Sequence, residues 1–395
     1  MKLIKKLEKK IIEISGSDIK INFFSFEQIL VLLSFVYEFA VKIYFLFYKN
    51  KMFETKKLPC IVISIGNIVA GGTGKTPMAI YIAELVKKMG LKPVVLSRGY
   101  KSKLEKKGGI AGNGKKVFYL PKDVGDEPFM MAKILSFPVI VGKNRFKSGM
   151  IAIKSFNPDV IILDDGLQHI KLKRDINIVL LDFEKPLGNG HLIPLGRLRE
   201  PLANIKKRTD FFIFTRCLKN KDTKQFNTEN IKFDFKSLSQ IFMKKPFALT
   251  CHQPFIYCFI KQNKIIEKFF LNPDMLKGKT AVLFSGIADN FQFKKTVENY
   301  KVIVKKHFKF KDHYMYKTSE ITEIIKKSKK LKVDILVTTQ KDYARFNENI
   351  YWDIDLAIIG IKIDFIKYKE KFKFFLKKKI MEQNPKHEQS TSNIK

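Results

Sequence analysis

The chain reads as an α/β protein of two α/β/α domains with mainly parallel sheets, preceded by an amphipathic N-terminal helix. Three observations predict this. Short apolar runs such as residues 160–163 and 176–181 lack period-2 alternation, as strands buried on both faces do. They alternate with helical stretches such as 77–89, the order expected of parallel strands with crossover helices. A lysine-rich polar segment at 218–240 then interrupts the pattern, and the 395 residues are enough for two cores. The expected divisions are a membrane-associating helical segment at 1–52, a nucleotide-binding α/β domain at 53–245, a smaller α/β domain at 246–370 and a polar tail at 371–395.

Residues 29–48, ILVLLSFVYEFAVKIYFLFY, are long enough to span a bilayer but carry Glu38 and Lys42 near the middle. At 100° per residue, Glu27, Gln28, Ser34, Glu38, Lys42 and Lys49 occupy about a third of the helix circumference, and the rest is apolar. Upstream, Lys2, Lys5, Lys6, Lys9 and Lys10 interleave with Leu3, Ile4, Leu7, Ile11 and Ile12, as in a cationic interfacial helix. Attachment to an anionic membrane surface, peripheral or monotopic, is expected ahead of a single span or a helix packed on the protein's own core. The apolar run starts too late for a cleaved signal peptide.

In the first domain, strands are expected at 60–65, 93–97, 160–163, 176–181 and 211–214. The first runs into ISIGNIVAGGTGKTP. Gly71, Gly72 and Gly74 permit a tight turn of inward N–H groups, and Thr73 lies within it. Lys75 would reach the β- and γ-phosphates, and Thr76 would bind Mg²⁺ through its hydroxyl. Pro77 suits a first helical turn, where its missing N–H is not needed. Val69 stands where the strict GxxxxGK[ST] pattern has its first glycine, yet strand, glycine-rich turn and helix follow in the required order. The expected core is therefore P-loop NTPase-like. A second acid suits the metal: the run at 160–163 ends in Asp164 and Asp165, at the carboxyl end of a strand, with Gln168 and His169 just beyond.

In the second domain, strands are expected at 246–250, 280–284, 302–305, 333–338 and 356–361. Two acidic clusters offer a catalytic base, Asp126 in GDEP and Asp312-His313 in FKDHY. Asp126 could equally cap a helix, and His313 could be a loop histidine; sequence distance alone does not bring them together. Of eight arginines, Arg98, Arg145, Arg197 and Arg199 fall in the motif-rich half, where bidentate phosphate donors would be needed.

The formal net charge of +37 is almost entirely lysine, dispersed along the chain. No RNP-type strand or C2H2 finger accompanies it, so no specific nucleic-acid partner is expected. Cys60, Cys217, Cys251 and Cys258 form no CxxC pair, and Cys251, His252 and Cys258 lack a fourth ligand at usable spacing, which favours a reduced setting without structural metal. A guanine-reading [NT]KxD is absent, since TQKD at 339–342 has its lysine one place late.

ISIGNIVAGGTGKTP, VLSRGYKSK, VGDEP, ILDDGLQH, GRLREP, FKDHYMY and VTTQKD, in this order from about residue 25 to 345, closely resemble the tetraacyldisaccharide 4'-kinase (lipid A 4'-kinase) family. The resemblance implies transfer of the ATP γ-phosphate to the 4'-hydroxyl of a tetraacylated glucosamine disaccharide 1-phosphate, giving lipid IVA in lipid A biosynthesis. It also implies ATP and Mg²⁺ as cofactors, a site in the cleft between the domains, and a helix on the cytoplasmic face of the inner membrane. No obligate protein partner is implied. Position by position, the family's P-loop falls on Gly71, Gly72, Thr73, Gly74, Lys75 and Thr76, its catalytic aspartate on Asp126, and the histidine paired with it on His313. Asp164 and Asp165 match the acidic pair near Mg²⁺. Gln168, Arg199 and Glu200 match positions at the catalytic cleft, and Ser97 a position near the phosphates. Gln340 departs from the family's usual TEKD.

Overall fold

The computed structural model describes residues 10–11, 13–15, 25–217, 245–261, 263–346 and 350–383, with the backbone alone at 267–270. The polar segment 218–240 and most of the cationic stretch 2–12 lie outside the described residues. In chain order the elements used below are α1 (Phe26–Lys49), β1 (Ile61–Asn67), α2 (Lys75–Lys88), β2 (Pro93–Ser97), β3 (Gly109–Asn113), α3 (Asp126–Ile134), β4 (Pro138–Val141), α4 (Arg145–Phe156), β5 (Val160–Asp164), β6 (Ile176–Asp182), α5 (Leu202–Arg208), β7 (Phe211–Thr215), β8 (Phe247–Lys261), β9 (Lys264–Leu271), β10 (Thr280–Ser285), α6 (Asn290–Glu298), β11 (Ile303–Lys309), α7 (Thr318–Lys330), β12 (Ile335–Thr339), β13 (Asp355–Lys367) and α8 (Lys369–Gln383). The α/β class with a mainly parallel sheet, expected from the apolar runs, is the fold observed.

Two compact units result, and neither is continuous in sequence. One holds Met1–Arg98, Gly142–His252 and Ile363–Lys395; the other holds Gly99–Val141 and Gln253–Lys362. This differs from the expected division at residue 245. The segment Gly99–Val141 joins the second unit because Ile134 of α3 packs on the core formed by Phe255, Phe284, Leu336 and Trp352. The expected tail beginning at 371 is a further correction. Phe372, Leu376 and Ile380 are buried at helical spacing on α8, and Phe372 meets Phe211 edge-on at 5.0 Å. Residues 384–395 lie outside the described residues.

In the first unit the strand order is β2-β5-β1-β6-β7-β8, with every pair parallel. β1, β2, β5 and β7 are buried at every residue, which explains why their sequences show no alternation. The chain leaves β1 toward β2 on one side and later fills β6 on the other, so the order switches at β1. A crevice at the carboxyl ends of β1 and β5 is where such a sheet takes ligands.

α1 docks through only part of its surface. Ser34 Oγ donates to the Leu192 carbonyl at 3.0 Å and accepts from the Leu195 N–H at 3.1 Å; Tyr37 donates to the Arg199 carbonyl at 2.8 Å. Ser34, expected on the helix's polar stripe, thus faces the protein. Leu32, Phe35, Val36 and Phe39 are 60–66% exposed. Among the described residues this is the one helix long and apolar enough to cross a membrane.

In the second unit β11-β10-β12-β13 run parallel, β8 follows β13, and β9 pairs antiparallel with β8. β3 and β4 form an antiparallel pair. β3, β4 and β9 were not expected, and β8 and β13 are longer than their apolar runs. In β8 the polar Cys251-His252-Gln253-Pro254 reads as a strand end, yet the chain continues extended to Lys261. The core of this unit stacks Phe284 on Phe346 and Trp352, beneath α7 residues Ile321, Ile324 and Ile325.

Candidate active site

The first unit builds an anion cradle where β1 ends and α2 begins. The turn places Gly71 at φ 137° and Gly74 at φ 82°, a region that L side chains rarely adopt. Gly74 is doubly constrained, since a Cβ there would lie 2.5 Å from Nε2 of His252. Neighbouring segments hold the turn from both sides. On one side, Ala70 N–H donates to the Arg197 carbonyl and Arg199 N–H to the Ile68 carbonyl, each at 2.8 Å. On the other, Thr215 Oγ1 at the end of β7 donates to the Thr73 carbonyl at 3.1 Å, and Arg216 donates to the Gly72 carbonyl. With carbonyls tied outward, the loop presents backbone N–H groups and the positive end of the 14-residue α2.

Charged and oxygen ligands converge on the same point. Parallel register sets Ile65 of β1 beside Asp164 of β5, so the two strands end together. Thr76 Oγ1 donates to Asp164 Oδ2 at 3.2 Å, and Ser97 Oγ at the end of β2 donates to the same oxygen at 3.5 Å. Lys75 Nζ lies 3.3 Å from the Gly71 carbonyl and 3.8 Å from Asp165 Oδ2. Asp165 sits at φ 57°, a strained value for a residue with a Cβ. Arg199 Nη1 donates to Asp165 Oδ1 and to Gln168 Oε1, each at 3.1 Å. Gln168 Nε2 in turn donates to the Asn67 carbonyl at 2.9 Å and to Glu200 Oε1 at 3.2 Å, while the buried Glu200 pairs with Arg208. The expected residues Gly71, Gly72, Thr73, Gly74, Lys75, Thr76, Ser97, Asp164, Asp165, Gln168, Arg199 and Glu200 therefore form one connected cluster.

The donor set fits Mg²⁺. The Thr76 and Ser97 hydroxyls and the Asp164 and Asp165 carboxylates are hard oxygen donors, and among the described residues no group of three or more His, Cys, Asp or Glu closes a metal cage. Mg²⁺ is commonly held by one or two carboxylates, with phosphates and water completing its octahedron. Arg145, expected as a phosphate donor, is 3% exposed and turns its guanidinium onto the Gly142 and Asp164 carbonyls, bracing the end of β5. His169 is pushed down to about 4 by burial and by nearby Arg145 and Arg174.

The second unit gathers a different group. Gly125, at φ 93°, is the cap of α3, and Asp126 is the helix's first residue, so its carboxylate is not used as the N-cap. Asp126 Oδ2 meets His313 Nδ1 at 2.7 Å across 187 residues of sequence. His313 has φ 59° and donates its N–H to the Gly286 carbonyl at 3.2 Å. Its pKa is raised, first by the Asp126 hydrogen bond, with burial opposing and Asp312 and Glu127 assisting. The expected domain boundary would have made this pair an interdomain contact; both residues belong to the same compact unit. Arg345, which sequence reading passed over, donates through Nε to Asp126 Oδ2 at 2.9 Å. Lys341 pairs with Glu127 at 2.7 Å. Gln340 is 7% exposed, with Nε2 unpartnered.

A family model described as LpxK, tetraacyldisaccharide-1-P 4'-kinase, matches residues 26–381. The chain belongs to the tetraacyldisaccharide-1-P 4'-kinase family. Among its relatives, the tetraacyldisaccharide 4'-kinase of Desulfatibacillum aliphaticivorans is 36% identical over 89% of this chain and 92% of the relative. That of Syntrophus aciditrophicus is 36% identical over 80% and 83%. A solved structure described as the "apo" form of LpxK from Aquifex aeolicus in complex with ATP matches with TM-score 0.69 and 31% identity, covering 90% of this chain and all of that one. The sequence signal for Arg345 was a lone arginine three residues after Asp342.

Proposed function

We propose that this kinase transfers the γ-phosphate of ATP to the 4'-hydroxyl of tetraacyldisaccharide 1-phosphate, yielding lipid IVA and ADP. The observation that carries the reading is an anion cradle and an Asp–His pair in a chain matched by the family over residues 26–381. Gly71, Gly72, Thr73 and Gly74 hold the phosphates with their N–H groups, and Lys75 neutralises the charge that gathers on the transferring group. Thr76, Asp164 and Asp165 would hold Mg²⁺, with Ser97 beside them. Bound Mg²⁺ would offset phosphate charge and polarise the transferring group. Gln168, itself held by Glu200, fixes Arg199, which in turn orients Asp165.

Asp126 takes the proton of the 4'-hydroxyl, and His313 holds the carboxylate in place. The hydroxyl oxygen forms the new P–O bond as the bond from the γ-phosphorus to the β–γ bridging oxygen breaks, and that electron pair leaves on ADP. An acylated substrate lies in a bilayer, and the exposed apolar face of α1 supports attachment to the cytoplasmic face of the inner membrane, against anionic lipid.

Label transfer from γ-³²P-ATP to tetraacyldisaccharide 1-phosphate in mixed micelles tests the reading. The native protein is expected to produce a labelled bisphosphorylated lipid, with large losses in Lys75→Ala, Asp126→Ala and His313→Ala. Intact Mg-ATP binding with no labelled lipid would overturn the acceptor assignment.

A further inference from the structure

The cluster around Asp126 extends inward to groups that no motif reading assigned. Arg345 has a side chain with no exposure, and its Nε and Nη2 both lie 2.9 Å from Asp126 Oδ2. Its Nη1 donates to the Gly286 carbonyl at 2.9 Å and to Asp342 Oδ1 at 3.2 Å. Asp342, also without exposure, is held in turn: Gly286 N–H donates to Oδ1 at 2.9 Å, Tyr316 OH to Oδ1 at 3.0 Å and Thr339 Oγ1 to Oδ2 at 2.6 Å. The Gly286 peptide closes the ring, because its carbonyl also receives His313 N–H. Gly286, Asp342, Arg345, Asp126 and His313 thus form one hydrogen-bonded circuit. A buried charge pair with so many bonds is costly to assemble and offers little stability over an apolar substitute, so its presence calls for another use.

We propose that Arg345, held by Asp342, to which Tyr316 donates in turn, is the positioning residue that aims the Asp126 carboxylate at the substrate hydroxyl. The proposal rests on the reading of Asp126 as base. Both the guanidinium and His313 bond Oδ2, which leaves Oδ1 as the oxygen that takes the proton. A planar fork anchored at both ends holds that orientation better than the imidazole alone, since His313 is half exposed. The fixed positive charge also opposes a proton on His313. The charged groups that face His313 are Asp126, Asp312 and Glu127 on one side of the balance and Arg345 on the other, with Glu127 itself tied to Lys341.

The test uses the full-length enzyme with Arg345→Met, Arg345→Lys, Tyr316→Phe and Asp126→Asn. Arg345→Met is expected to lower kcat about 100-fold, the cost of a misplaced reacting group, with the ATP KM within about twofold of native. NMR titration of the His313 ring is expected to show its midpoint moving up in Arg345→Met and back toward native in Arg345→Lys. Tyr316→Phe should show smaller changes in the same direction, and it carries the test if Arg345→Met does not fold. Native kcat and an unmoved His313 midpoint in the Arg345 variants, while Asp126→Asn abolishes transfer, would overturn the proposal. Full transfer by Asp126→Asn would instead overturn the reading of Asp126 as base.

Discussion

The phosphate cradle and the Asp126 cluster are built in opposite ways. The cradle is a continuous stretch of backbone, Gly71 through Thr76, whose neighbours only hold it in shape. The cluster is made of side chains at positions 126, 313, 342 and 345 around the Gly286 peptide, tied by bonds that span up to 219 residues. Each places one non-glycine residue in left-handed backbone, Asp165 at φ 57° and His313 at φ 59°. Strain of this kind persists where surrounding bonds over-determine it, and in both regions those bonds are on hand. The difference teaches that phosphate binding can be written in backbone, whereas a base must be aimed by distant side chains.

The largest effect should separate the two regions by role. Asp126→Asn is expected to cut turnover by roughly 10²–10⁴-fold while leaving ATP affinity near native. Lys75→Ala should weaken ATP binding as well as turnover. Equal loss of ATP affinity in both variants, by isothermal titration, would erase the distinction.

Backbone dependence provides the next contrast. Gly74→Ala is expected to cost about 1–3 kcal/mol in urea unfolding, because φ is 82° and His252 leaves no room for a Cβ. Gly72→Ala, with nothing within 4 Å of the added Cβ, should stay within about 0.5 kcal/mol. A comparable cost at the two positions would mean that the cradle is not defined by local backbone.

On the docked face of α1, Ser34→Ala should cost about 1–3 kcal/mol by leaving the Leu195 N–H and the Leu192 carbonyl without their partner. Phe35→Ser is mostly exposed in the protein and should leave unfolding unchanged, while lowering recovery on anionic vesicles.

The smallest effect is a difference in sign with pH. In the cluster, His313 has a raised pKa, so its stabilisation is complete below the ordinary value near 6.5 and fades as pH rises through the folded value. In the cradle, burial first, then Arg216, pushes His252 down to about 4. Its contribution is present above 6.5 and is lost as pH falls toward 4. Unfolding midpoints of His313→Asn and His252→Asn, each relative to native, should therefore converge at opposite ends of a titration from pH 4 to 8. Parallel curves would show that one imidazole is not in the environment described.

The sequence by itself determined the fold class, the cradle and the acid pair, because these depend on local rules. Doubly buried strands leave unalternated apolar runs at 160–163 and 211–214, glycines mark the turn, and a strand's end fixes where Asp164 and Asp165 emerge. Local rules also explain the errors. The buried face of α8 at Phe372, Leu376 and Ile380 was hidden by the lysines between them, and β8 by its polar middle. Only the tertiary structure decided that Gly99–Val141 joins the second unit, that Asp126 and His313 meet within it, and that Arg345 lies beneath them. The reason is that a contact between side chains far apart in sequence is a property of packing and not of spacing. Nothing near Arg345 in the chain records which carboxylate it will reach.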